Sequence, residues 1–149
     1  MWDARFTFFI SDLARNMAGI STKGLYGLAA MYELSQKTDQ NPMQIKEISH
    51  NGNIPHNYLE QLLSSLRKAG LVKSMRGAYG GYFLGRRADE ITVLEVLEVL
   101  EGSLCKMEMK TSNPVLEMFW NDTHAKVQEL FKLKLSDLDR YYQQISFDI

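Results

Sequence analysis

The chain has a single cysteine, Cys105, in 149 residues. An intramolecular disulfide is therefore impossible, and so is a zinc site built on cysteine pairs. Proline is scarce, at three residues, and all three sit where an element should start or stop (Pro42, Pro55 and Pro114). Three histidines, His50, His56 and His124, are scattered, and none lies beside a serine–aspartate or cysteine partner set that would make a charge relay. They read as solvated or structural residues. The acids Glu95, Glu98 and Glu101 share a helical face without a histidine or cysteine beside them, a weak metal-binding pattern. No apolar run approaches the ~18 residues needed to span a bilayer. The start, MWDARFTFFI, has an apolar stretch from Phe6 to Ile10 with Asp3 before it and Asp12 after it, too short and too acidic for a secretion signal. A cytoplasmic protein with no membrane partner is expected. An enzyme is not.

Net charge is also nearly absent, at −1, but the average conceals a strong pattern. Residues 1–55 carry five bases and five acids. Residues 56–87 carry six bases (Arg67, Lys68, Lys73, Arg76, Arg86, Arg87) against Glu60 alone. Residues 88–149 carry six bases and twelve acids. A basic middle on a neutral chain is what phosphate binding requires, because Lys and Arg displace counterions condensed on a nucleic acid. A solvated charged face is the plainer reading of that segment taken alone.

The remainder is ordinary for a globular protein, with 45% hydrophobic and 23% charged residues. Ser21 or Thr22 can cap a helix to about Gln36, and the polar run Lys37–Pro42 ends it. Ile45 and Ile48 mark a short helix, Asn51-Gly52-Asn53 a turn, and Pro55 the opening of a longer helix. That order is a helix-turn-helix candidate. In the longer helix Tyr58, Leu59, Leu62, Leu63 and Leu66 form one apolar stripe. His56, Asn57, Glu60, Gln61, Ser64 and Arg67 face outward, as on a groove-reading helix or on any amphipathic surface helix.

Gly70 stops this helix. Leu71–Met75 and Tyr82–Leu84 then read as strands around Gly77-Ala78-Tyr79-Gly80-Gly81. The glycine run is no P-loop, since no Gly-Lys-Ser/Thr follows and no helix opens there. Its GxxG spacing occurs in KH domains between two helices, whereas strand-like residues flank it here. The run Ile91–Glu95 opens another helix, with Thr92 and Glu95 as its capping box and Ile91 and Val96 as its staple, and Gly102 ends it. A long helix is predicted from Pro114 to about Lys134, with Val115, Met118, Phe119, Val127, Leu130 and Phe131 as its apolar side. Residues 1–19 do not follow the rhythm of the remainder and form an extension of uncertain status.

The segments ISTKGLYGLAAMYEL, YLEQLLSSLRKAGLVKSMRGAYGGYFLGR and ITVLEVLEVLEG together resemble the Rrf-two family of bacterial transcription regulators, over Ile20 to about Tyr142. The resemblance implies a mainly α fold with a small β-hairpin wing. It places a winged helix-turn-helix DNA-binding domain at 20–90 and a helical sensor and dimerisation region at 91–149, the homodimer forming through the long C-terminal helix. It implies a regulator, most simply a repressor, of double-stranded promoter DNA. The contacts it implies are Asn57, Tyr58, Glu60 and Gln61, with Arg76, Gly77, Tyr79, Gly80 and Gly81 at the wing; Arg67 and Lys73 of the basic segment are expected beside them. Many members hold an iron–sulfur cluster on cysteines that follow the ITV helix. Here that segment offers Cys105 alone, so no cluster and no other cofactor is expected. The pattern is nearer to the cluster-free branch, which controls sulfur and cysteine metabolism and can respond through an enzyme of cysteine synthesis. Two alternatives stand beside this reading. One is a winged-helix protein-interaction module without DNA function. The other is a regulator that senses oxidants through Cys105, whose thiolate Lys106 would favour.

Overall fold

The computed structural model describes residues 20–102, 104 and 113–147. The extension at 1–19 and Cys105 lie outside the described residues. In chain order the elements are α1 (Thr22–Gln36), α2 (Ile45–Gly52), α3 (His56–Lys68), β1 (Val72–Met75), β2 (Gly81–Leu84), a 3-10 turn (Ala88–Glu90), α4 (Val93–Glu101), α5 (Pro114–Leu130), a second 3-10 turn (Leu135–Leu138) and α6 (Asp139–Phe147). The architecture is mainly α with one antiparallel hairpin, as expected.

Local chemistry sets most boundaries. The Ser21 hydroxyl caps α1 by accepting from the Lys23 N–H. Asn53 ends α2 in the left-handed conformation, at φ 50°. After α3 the Leu71 N–H reaches the Leu66 carbonyl and the Gly70 N–H reaches that of Arg67. Gly70 is at φ +79°. This paired closure around a left-handed glycine turns the chain from helix into strand.

The hairpin pairs Val72 with Leu84 and Ser74 with Tyr82. Tyr82 and Leu84 pack against the main core, so the opposite register, Lys73 with Phe83, faces away. Met43 extends the sheet by exchanging both backbone hydrogen bonds with Tyr82, each 2.9 Å. The wing is thereby clamped to the segment that leads into α2.

The main core gathers Met31 from α1, Ile48 from α2, Leu59, Leu63 and Leu66 from α3, Val72 from β1 and Val96 from α4. Each buried Leu or Ile contributes roughly 1.5–3 kcal/mol of transfer free energy. A second cluster joins Ile20, Val93, Leu97 and Leu104.

The helix opened by the Thr92–Glu95 capping box runs Val93–Glu101 with Thr92 as its cap, and the box is complete. One expected boundary shifts: the long helix predicted to about Lys134 stops at Leu130. The first amides of α4 have no partner within their own helix. Val93 donates to the Leu133 carbonyl and Leu94 to that of Phe131, each at 2.7 Å, and the Leu135 N–H returns a bond to Ile91. Residues 132–134 therefore run beside the start of α4, and α5 has to end first.

Candidate nucleic-acid interface

The outer face of α3 carries Asn57, Glu60, Gln61 and Arg67, all exposed. Its inner face carries the buried Leu59, Leu62, Leu63 and Leu66. Tyr58 stands between the faces and is half-buried, with its ring edge-on to Tyr26 of α1 at 5.7 Å between centroids. Burial, and after it the Glu101 charge and Tyr26, hold the Tyr58 hydroxyl above its ordinary value. It therefore stays a neutral phenol, able to donate. His56, the first residue of α3, places Nδ1 3.9 Å from a Glu60 carboxylate oxygen, one turn along.

The wing lies next to this helix. The Arg67 guanidinium donates to the Ser74 hydroxyl at 3.3 Å, a direct tie from α3 to β1. Lys73, Arg76, Gly77 and Tyr79 are exposed, and Tyr79 at the tip keeps 89% of its surface accessible. Gly77 is at φ +122° with open space around it, a backbone conformation that favours glycine. Gly80 and Gly81 are half-buried, and their bare Cα atoms have an internal reason. A Cβ on Gly81 would lie 2.5 Å from the Met43 carbonyl oxygen, and one on Gly80 would strike the Met75 carbonyl.

The six bases of this region divide into two groups. Arg86 donates to Glu95 at 2.6 Å and Arg87 to Asp89 at 2.6 Å. Both are occupied at the back of the hairpin. Burial alone would raise the Glu95 carboxyl, but the Thr92 N–H and the Arg86 guanidinium outweigh it, and the group sits below its usual value. Arg67, Lys68, Lys73 and Arg76, by contrast, have no ion pair among the described residues. These four flank the exposed amide and carboxylate groups of α3. Lys68 was not singled out from sequence, although its place in the Arg67-Lys68 pair marked it as a surface cation. The Arg87 partner, Asp89, lies two residues away, whereas the pairing of Arg86 with Glu95, nine residues away, carried no local signal.

The arrangement is a helix with short polar groups on its outer face, set beside a glycine-tipped hairpin and bordered by cations that have no carboxylate partner among the described residues. Such a helix can enter a major groove while the hairpin meets the backbone or the minor groove. None of the described residues forms a His/Cys/Asp/Glu group arranged to hold a metal, and among them no helix is long and apolar enough to cross a membrane.

Comparison with known proteins agrees with this geometry. A family model described as "Rrf2: Iron-dependent Transcriptional regulator" matches residues 20–141. The HTH-type transcriptional regulator CymR of Bacillus subtilis is 44% identical over 124 residues, covering 82% of this chain and 90% of that protein. The structure of that protein, described as the global cysteine regulator of B. subtilis, superposes with a TM-score of 0.77 over 84% of this chain and 98% of the other. The structure of T. potens IscR, 37% identical, gives 0.72 over 85% of this chain and 89% of its own. The chain belongs to the Rrf2 family of transcriptional regulators, DNA-binding proteins and not enzymes.

Proposed function

We propose that this protein works as a homodimer that reads a two-fold promoter sequence through α3 and the wing, and that the genes it controls serve cysteine metabolism. One observation carries the DNA-contact assignment. The four unpaired cations Arg67, Lys68, Lys73 and Arg76 border the exposed Asn57, Glu60 and Gln61. Gln61 has the donor and acceptor to bond adenine, and Glu60 can accept from cytosine N4. Arg76 has the charge and reach for the minor groove. Gly77 and Tyr79 would accompany it at the wing, with Gly80 and Gly81 shaping the turn.

Support for the homodimer comes from α5. None of its residues is buried, although Val115, Met118, Phe119 and Leu130 are each more than half exposed. A 17-residue helix with such a face matches a partner copy, and two-fold proteins suit half-sites about one helical turn apart. Likeness to the global cysteine regulator supports the target genes. An enzyme of cysteine synthesis is the protein partner that this reading entails, and cytoplasmic residence follows with it. No iron–sulfur cluster belongs to the proposal despite the family's iron-dependent description. A single thiol in the whole sequence is not a donor set for a cluster that takes about four protein ligands.

Selecting bound fragments from a pool of genomic DNA tests the function. The expected result is enrichment of a dyad sequence upstream of cysteine or sulfur genes. Recovery of fragments without a shared motif would contradict it.

A further inference from the structure

Glu101 is the last residue of α4, and its carboxylate serves a different helix. Its Oε1 accepts from the Ser21 N–H at 2.8 Å, the Ser21 hydroxyl at 2.7 Å and the Gly24 N–H at 2.9 Å. Ser21 is the cap of α1 and Gly24 its third helical residue. In an ordinary capping box the side chain at that third position reaches back to the cap N–H. Glycine has no side chain, and Glu101, 77 residues away, supplies the missing carboxylate. It also takes the Gly24 amide, which has no partner inside α1.

The space for it is specific. A Cβ on Gly24 would sit 2.8 Å from Glu101 Oε1, and one on Gly27 would overlap Leu100. The two glycines let the end of α4 lie directly on the start of α1. Two further contacts extend the link. Toward the C-terminus, Gly102 follows at φ +84°, and Leu104 is buried with Ile20 and Leu97. On the far side, Tyr26 of α1 packs edge-on against Tyr58 of α3, within the run that presents Asn57, Glu60 and Gln61.

We propose that Glu101 is a positioning residue for DNA recognition. Its carboxylate fixes the start of α1 against the end of α4, and through Tyr26 and Tyr58 it sets the seat of the reading helix. A change at Leu104, which is buried with Ile20 and Leu97, would reach α3 by this route. The inference rests on α3 being the reading helix.

The test measures affinity of the full chain for its selected operator and for a scrambled duplex. The parent binding the operator is the control, and its failure to do so would count against the reading of α3 and not against Glu101. With that control met, Glu101→Ala should weaken operator binding about tenfold or more, with dimer and helix content kept and scrambled-duplex binding unchanged. Glu101→Gln, whose amide oxygen still accepts from both N–H groups, should restore affinity to within about threefold of the parent. Equal weakness of the two variants, or full affinity of Glu101→Ala, would overturn the proposal. Leu104→Ala tests the route. Its effect on operator affinity should be large in the parent and small in a Glu101→Ala background, and additive effects would contradict the coupling. Should Glu101→Ala fail to fold, amide exchange of Ser21 and Gly24 in the parent decides. It should slow about tenfold on operator binding, and unchanged exchange rejects the role.

Discussion

At the scale of single residues, the proposed interface turns on the difference between a cation with a carboxylate partner and one without. Arg76 and Arg86 lie ten positions apart in the same basic segment, yet only Arg86 has a carboxylate, that of Glu95 at 2.6 Å. Arg76 therefore keeps its charge available for phosphate. Arg76→Ala should lower operator affinity about tenfold at moderate salt and flatten the dependence of log affinity on log salt by about 0.9 for the lost phosphate contact. Titration at several salt concentrations reads both, and an unchanged slope would remove Arg76 from the interface. Glu95 predicts an effect of the other kind. Its folded value lies below the unfolded one, so its stabilisation is complete above the unfolded carboxyl value and disappears as pH falls through the folded value. Thermal unfolding of the parent between about pH 6 and pH 3 should lose stability more steeply than that of Glu95→Gln. Parallel curves would show that the Thr92 and Arg86 bonds do not lower this carboxyl.

At the scale of elements, α5 is a 17-residue helix that buries none of its apolar residues. Val115 keeps 74% and Met118 75% of their surface accessible, which is rare for a contiguous patch unless a partner covers it. Met118→Asp should convert the dimer to monomer in sedimentation while leaving the α1–α4 core folded, because no residue of α5 belongs to that core. A dimer that survives this change would place the interface elsewhere.

Elements are also where sequence legibility changes. The Thr92–Glu95 capping box, the Gly70 stop and the α3 stripe were readable because each is written within a few consecutive residues. The groups on the outer face of α3 were readable for the same reason. Helical period gives the side of a residue without knowledge of its neighbours. The early end of α5 was not readable, because it depends on carbonyls of Phe131 and Leu133 meeting amides of α4. The Glu101 carboxylate was likewise opaque. Its partners lie 77 and 80 residues away, and on its own helix it looks like one acid of a solvated row.

At the scale of the whole molecule, a chain of net charge −1 becomes a DNA reader by segregation of charge. The acidic C-terminal third keeps the average low while residues 56–87 concentrate the bases. At the same scale the proposal sets this protein apart from cluster-bearing regulators, since one cysteine is not the donor set that a cluster takes. Protein purified without oxygen should show no visible iron–sulfur absorbance and no stoichiometric sulfide, and a band with matching iron and sulfide would contradict the proposal.

The most direct test of the central claim compares the purified protein on its selected operator and on a scrambled duplex of equal length and composition, at about 0.15 M salt. A specific reader should prefer the operator by about a thousandfold or more. Reversing the charge of Arg76 together with replacing Gln61 by Ala should reduce that preference to near unity. Equal affinity of the unaltered protein for both duplexes would contradict sequence-specific reading by α3 and the wing.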